Sequence, residues 1–173
     1  MAIRKVLRYG EPSLRQPSKE VHKVSKKISD LVRDLLDTLY AQNGVGLAAP
    51  QIGENLRIFV IDVATGNEPL NPIVFINPKI IKKSGAIKSN EGCLSFPEAY
   101  TDVKRYKNIM VKATNEHGKP FVLEAKDGTL LARAIQHEND HLDGILFIDK
   151  ATNLCDSYEQ YAKLKAKEKK SKK

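Results

Sequence analysis

Hydrophobic positions along this chain change period several times, and each change marks a different element. In "KISDLVRDLLDTLYAQNG" Ile28, Leu31, Val32, Leu35, Leu36 and Leu39 recur at three- and four-residue spacing. That is the stripe of an amphipathic helix, and Gly44 stands near its expected stop. "LRIFVIDV" then runs almost unbroken in β-branched and apolar residues, which predicts a buried strand over Arg57 to Val63. "IVFINPKIIKK" predicts another, bent or at an edge where Pro78 removes a hydrogen-bond donor. "NIMVKATNEHGKPFVLEAKDG" alternates on both sides of "EHGK", so a hairpin is expected with Gly118 in its turn.

Helical period returns in "DGTLLARAIQHENDHLDG". Asp127 or Thr129 can cap the start, and Gly144 can end it. Leu130, Ala134, His137 and His141 form one stripe, with Leu131, Ile135, Glu138 and Leu142 on the next. Apolar groups on two adjacent stripes predict a helix buried over most of its surface. A last helix, with weaker apolar support, is expected from about Leu154 to Lys167. With no internal repeat or linker, the 173 residues predict one α+β domain over residues 1–150 and a basic C-terminal helix and tail over 151–173.

Charge changes this picture only at one end. The net charge is +8, but seven lysines against two glutamates after Tyr158 place five of those surplus charges in the tail. The body is mildly basic; the tail is a solvated helix end or a contact with an acidic surface such as RNA. No segment has the roughly 18 apolar residues that span a bilayer, and no apolar signal core opens the chain, so a cytoplasmic protein without a membrane contact is expected. Nothing marks a reader of specific DNA. Cys93 and Cys155 are too few for a disulfide framework and fit a reducing compartment.

The candidate chemistry sits in "AIQHENDHLDG". One helical turn separates His137 from His141, so both imidazoles share a face and can grip one metal ion, with Glu138 beside them. This is the H-E-x-x-H arrangement of metal hydrolases, in which the glutamate moves protons for an activated water. Polar groups carried into a core need partners, and a metal supplies them. A catalytic site usually takes three protein ligands. Cys93 in "SNEGCLSFPEAY", in an irregular segment or at a strand edge, is the third candidate; His22 and His117 are expected to be exposed. In "NGVGLAAPQIG", small residues let an extended peptide approach, and Gln51 can donate its amide N–H to an oxyanion.

Taken together, "GVGLAAPQ", "EGCLS" and "QHENDHLDG" resemble the three signatures of the peptide deformylases, in order, and "GEPSLRQPSKEV" is similar to the family's opening. The likeness runs from Ile3 to about Asp149. It implies removal of the formyl group from the N-terminal formyl-methionine of nascent peptides, with release of formate. It implies small antiparallel sheets packed around the helix that carries both histidines. It implies Cys93, His137 and His141 as ligands of Fe(II), with nickel, cobalt or zinc as substitutes. Glu138 becomes the general acid and base, with Gln51 and the Leu94 backbone N–H at the oxyanion. Val45, Gly46, Glu91, Gly92, Tyr100 and Arg133 are expected to contact substrate. "EGCLSFP" with Tyr100 looks like the branch shared with organelle enzymes, and the Arg133 stem is expected to pack at the methionine pocket with its charge turned outward. A ribosome contact through the basic tail would suit such a substrate.

Two rival classes share part of the pattern. A zinc endopeptidase has His-Glu-x-x-His but takes its third ligand from downstream, where only Glu159 and Glu168 in a polar helix are available. An RNA-binding module with a structural metal wants four protein ligands and exposed aromatics for stacking, and neither is evident.

Overall fold

The computed structural model describes residues 2–64, 66 and 68–151. The expected helix from Leu154 to Lys167, and Cys155 with it, lie outside the described residues. Helix α1 spans Lys26–Ala41 and α2 spans Leu130–Leu142. The strands are β1 (Gly46–Ala48), β2 (Ile58–Ile61), β3 (Ile73–Ser84), β4 (Ile87–Cys93), β5 (Phe96–Arg105), β6 (Asn108–Thr114) and β7 (Pro120–Ala125). They form an antiparallel five-stranded sheet in the order β1-β2-β3-β6-β7 and a separate β4-β5 hairpin. The architecture is α+β, as expected.

The unbroken apolar run of β2 has a simple cause. Ile58 and Val60 join the cluster of α1, with Leu31, Leu35 and Leu39, while Phe59 and Ile61 join Ile135 and Leu142 of α2. A strand covered by a helix on each face needs apolar side chains at both parities. In β6 and β7 only one parity is covered: Ile109, Val111 and Ala113 are buried while Lys112 is exposed, and Val122 faces outward. These strands alternate accordingly. A third cluster, of Phe96, Ala99 and Val103 with Leu14 and Phe147, fixes the β4-β5 hairpin to the N-terminal segment and to the short turn of helix at Phe147–Lys150.

Three local expectations are refined. The α1 helix ends at Ala41 and the left-handed residue after it is Asn43, not Gly44. Gly44 serves a different need, because a Cβ there would lie 2.8 Å from Leu94 Cδ1 and 2.9 Å from Leu39 Cδ1. Pro78 does not interrupt β3. The strand continues through two register shifts, with Asn77 in a left-handed conformation and its side-chain amide exchanging hydrogen bonds with the Val21 backbone. The "SNEGCLSFPEAY" stretch is no irregular segment but a strand, a tight turn and a second strand, with Cys93 ending the first.

Thr129 caps α2 by accepting from the Ala132 N–H, and Asp127 instead takes a left-handed turn position. At the other end Gly144 adopts φ +71°, and its Cβ position lies 2.6 Å from the Arg15 carbonyl oxygen. Only glycine fits both the dihedral and the backbone approach. Gly144→Ala is therefore expected to lower stability by roughly 2 kcal/mol or more, from the left-handed strain plus displacement of the Arg15 chain. A urea titration reading the midpoint against wild type checks this; an unchanged midpoint would refute it.

Candidate active site

The small-residue loop, the β4-β5 turn and α2 converge on one groove of about 450 Å³. Within it the ligand atoms of Cys93, His137 and His141 all lie within 4.8 Å of one another. Cys93 Sγ is 3.3 Å from His141 Nε2, and the two imidazole centroids are 5.0 Å apart. Ligands at about 2.0–2.3 Å from a tetrahedral metal stand some 3.3–3.8 Å from each other, a range that the Cys93–His141 separation meets. His141 Nδ1 and Glu138 Oε2 are buried with no hydrogen-bond partner among the described residues. A cysteine sulfur, two imidazoles and an orphaned carboxylate oxygen suit a metal with a proton carrier beside it.

Each group is positioned from the sequence upward. Both histidines ride on the buried half of α2, four residues apart. His137 Nδ1 lies 3.1 Å from Glu91 Oε2, which leaves its Nε2 for the centre of the site. Glu91 in turn receives Arg105 Nε and Nη2, both at 2.8 Å, and Arg105 Nη1 reaches Asp140 Oδ2 at 2.5 Å. Burial would raise the Glu91 carboxyl, but hydrogen bonds from Arg105 and His137 outweigh it and bring the pKa down to about 2. Burial moves Glu138 the other way, up to about 7, with Glu91 and Asp140 adding to it against the cationic His137 and Arg105.

Gln51 is nearly inaccessible and held at both ends of its amide. Its Oε1 accepts from the Ala48 N–H at 2.9 Å, and its Nε2 donates towards Ser95 Oγ at 3.2 Å and Cys93 Sγ at 3.5 Å. Leu94 lies in the β4-β5 turn, whose carbonyl groups are tied to the N-terminal segment by Arg8 Nη1 at Leu94 and by the Tyr9 N–H at Ser95. Gly46 lets the loop close over the carboxylate, since a Cβ there would stand 2.5 Å from Glu138 Oε1.

Val45, Gly46, Gly92, Tyr100 and Arg133 line the groove, and Tyr100 lies over Gly92 while 64% exposed. Glu91 borders it too, but its carboxylate is turned inward to Arg105 and His137; the expected substrate contact becomes a contact to a candidate ligand. Arg133 is half-buried and lines the groove, with its Nε buried and without a hydrogen-bond partner among the described residues. His22 and His117 are exposed, away from the groove. Sequence reasoning missed Arg105, Ser95 and Arg8. Ser95 was visible within "EGCLS"; Arg105 in "DVKRYKN" looks like any surface cation, and only pairing reveals it.

Fold and site together define a metal-dependent hydrolase with an open, peptide-sized groove. The polypeptide deformylase family model matches residues 3–157. A peptide deformylase 1 of Clostridium acetobutylicum is 48% identical over 150 residues, 87% of this chain and 95% of that protein. The crystal structure of a peptide deformylase from Legionella pneumophila superposes with a TM-score of 0.88 at 39% identity, covering 96% and 98% of the two chains. One from Synechococcus elongatus in complex with actinonin gives 0.84 at 40%, covering 91% and 87%. The chain belongs to the polypeptide deformylase family, metal-dependent enzymes that take the formyl group from the formyl-methionine of new polypeptides and release formate. Among the described residues no helix is long and apolar enough to cross a membrane.

The buried Arg105 generates a test independent of turnover. Glu91→Gln removes one carboxylate of the pair and is expected to cost about 3–5 kcal/mol, because a buried guanidinium loses a charged partner. In the wild type the Glu91 contribution is fully present above its ordinary value of 4.5 and is lost as pH falls towards about 2. Acid unfolding curves should therefore flatten across that window in Glu91→Gln. A variant with wild-type stability and an unchanged acid limb would refute the account.

Proposed function

We propose that Cys93, His137 and His141 hold the metal, that Glu138 moves the proton, and that Gln51 and the Leu94 N–H receive the oxyanion. The observation that carries this is the meeting of three ligand atoms within 4.8 Å beside a buried, half-unpaired Glu138. The metal, when bound, supplies a Lewis acid and acidifies a water. Fe(II) is the ion we assign, with nickel, cobalt or zinc as substitutes that the same soft donor set accommodates. Glu138, with a pKa near 7, takes a proton at neutral pH and returns it to the departing amine. Gln51 Nε2 is held in place before substrate arrives, so little reorganisation opposes charge development on the formyl oxygen.

The substrate backbone lies along an open edge. Among the described residues β1 pairs only with β2, which leaves its other edge open beside Val45 and Gly46, in the groove that Gly92 and Tyr100 also line. An extended peptide adds there as a strand, and the methionine side chain enters between Val45 and the Leu130, Arg133 and Ala134 face of α2.

Formate release from formyl-Met-Ala-Ser by anaerobic Fe(II)-loaded protein tests the assignment. Glu138→Gln should keep the metal and lose roughly 10²–10⁴ in kcat. Cys93→Ala should lose or remodel the metal. Metal loss in Glu138→Gln equal to that in His137→Ala would instead make Glu138 a ligand.

Deformylases act on new chains, and we assign the protein to the cytoplasm, in contact with ribosomes through the lysines of residues 163–173. The warrant is charge alone: cationic tails bind RNA in a salt-dependent way as counterions are released. Truncation after Ser157 should leave formyl-tripeptide turnover intact and weaken ribosome co-sedimentation at low salt. Equal affinity and salt slope would leave the tail no such role.

A further inference from the structure

We propose that Arg133 makes the side-chain pocket a site for methionine sulfoxide as well as methionine, so that this enzyme deformylates chains whose initiator residue has been oxidised. The proposal rests on the deformylase reading and extends it to the identity of the first side chain.

Arg133 precedes His137 by one turn of α2, about 6 Å along the helix axis. Five bonds separate a formyl carbon from the thioether sulfur of the same residue, a reach of about 6 Å when extended. A formyl group seated by His137 can therefore carry its sulfur to the level of Arg133 when the side chain runs along α2. The walls there are apolar, with Val45, Leu130 and Ala134 lining the same groove. Arg133 is the exception. Its Nε is fully buried and has no acceptor among the described residues. Glu98 also lines the groove, yet no ion pair joins it to Arg133 among the described residues. Glu91 is occupied by Arg105 and His137, and Glu138 faces Gly46.

A guanidinium offers five N–H donors and no acceptor, and a buried donor left unpaired is costly. A thioether sulfur is a weak acceptor and meets this need poorly. Oxidation turns the same side chain into one with a strongly polar S=O while barely changing its length. Its oxygen can accept a hydrogen bond from the terminal N–H groups of the Arg133 guanidinium, beyond the buried Nε. An aliphatic residue at position 133 would instead leave the S=O dehydrated and unpaired, at the expense of binding. The chemistry at the formyl group is unchanged. Water breaks the amide C–N bond, its hydroxyl goes to the formyl carbon to give formate, its proton goes to the amine, and sulfur is neither oxidised nor reduced.

The test compares kcat/KM of Fe(II)-loaded protein on formyl-X-Ala-Ser, with X as methionine, norleucine or methionine sulfoxide, in wild type, Arg133→Leu and Arg133→Lys. Norleucine reports pocket shape without a sulfur. The wild-type ratio of sulfoxide to norleucine should be at least about 0.1, should fall tenfold or more in Arg133→Leu, and should lie between in Arg133→Lys, which keeps one donor group but not the planar fork. Because each variant is read as a ratio, a general loss from altered folding cancels. A ratio unmoved by leucine, or a wild type that cleaves methionine and norleucine peptides but not the sulfoxide, overturns the proposal alone. No cleavage of any of the three overturns the deformylase reading and this proposal with it.

Discussion

A single guanidinium, that of Arg105, ties the parts of this molecule that do chemistry. It comes from the end of β5, is 1% exposed, and joins Glu91 of β4 to Asp140 of α2. Asp140 also holds Lys150 at 2.7 Å from the short helical turn that follows. Burying such a cation is expensive, and the expense is recovered only when both carboxylates are in place. The hairpin that carries Cys93 is thereby locked to the helix that carries His137 and His141. Among the described residues the hairpin has no strand pairing with the larger sheet, so apolar contacts, the ties of its turn to Arg8 and Tyr9 and this network set its height over α2. The same carboxylate that satisfies Arg105 also reaches His137 Nδ1, so structural pairing and orientation of a candidate ligand are one interaction.

The second constraint is closeness. The loop after α1 approaches Glu138 so tightly that Gly46 has no room for a side chain, and Gly44 is crowded likewise by Leu94. That approach removes water from Glu138, and removal of water is the largest cause of its raised pKa. Glu91, a few ångströms away and also buried, ends at about 2 because it has cationic partners. Two carboxylates in one pocket are thus driven apart by their neighbours, one fixed as an anion and one free to exchange a proton at neutral pH.

How much of this was legible in the chain depends on how local the cause is. The β2 run, the α1 stripe and the hairpin around Gly118 follow from period and turn chemistry, and they stand within a residue or two of expectation. The pairing of His137 with His141 follows from helix geometry. The β4-β5 hairpin was missed because Gly92, Pro97 and the polar stretch "KSNEG" disguise its alternation; its strands are set by contacts with Leu14 and Phe147, far off in sequence. The inward turn of Glu91 was missed for the same reason, since Arg105 lies fourteen residues on and pairs with Ile87 across the hairpin, from where its long side chain reaches Glu91. The groove residues Val45, Gly46, Gly92 and Tyr100 came from family likeness, and spacing alone would not have joined them.

Seen this way, the three motifs are one physical unit divided by the chain. "GVGLAAPQ" supplies the close approach at Gly46 and the amide of Gln51; "EGCLS" supplies the thiol of Cys93, the carboxylate of Glu91 and the Ser95 hydroxyl that receives Gln51. "QHENDHLDG" supplies both imidazoles, the buried carboxylate of Glu138 and, at Gly144, a helix end that no other residue fits. None of the three can be altered without a consequence in another. A side chain at position 46 would displace Glu138, and loss of Ser95 would free the Gln51 amide that points at Cys93. Glu138 Oε2, left without a partner among the described residues, belongs to a side chain that lines the groove, where a substrate or a metal can still answer it. Glu91, paired with Arg105 and His137, is committed to holding the site together, whereas one oxygen of Glu138 is left uncommitted by the same packing.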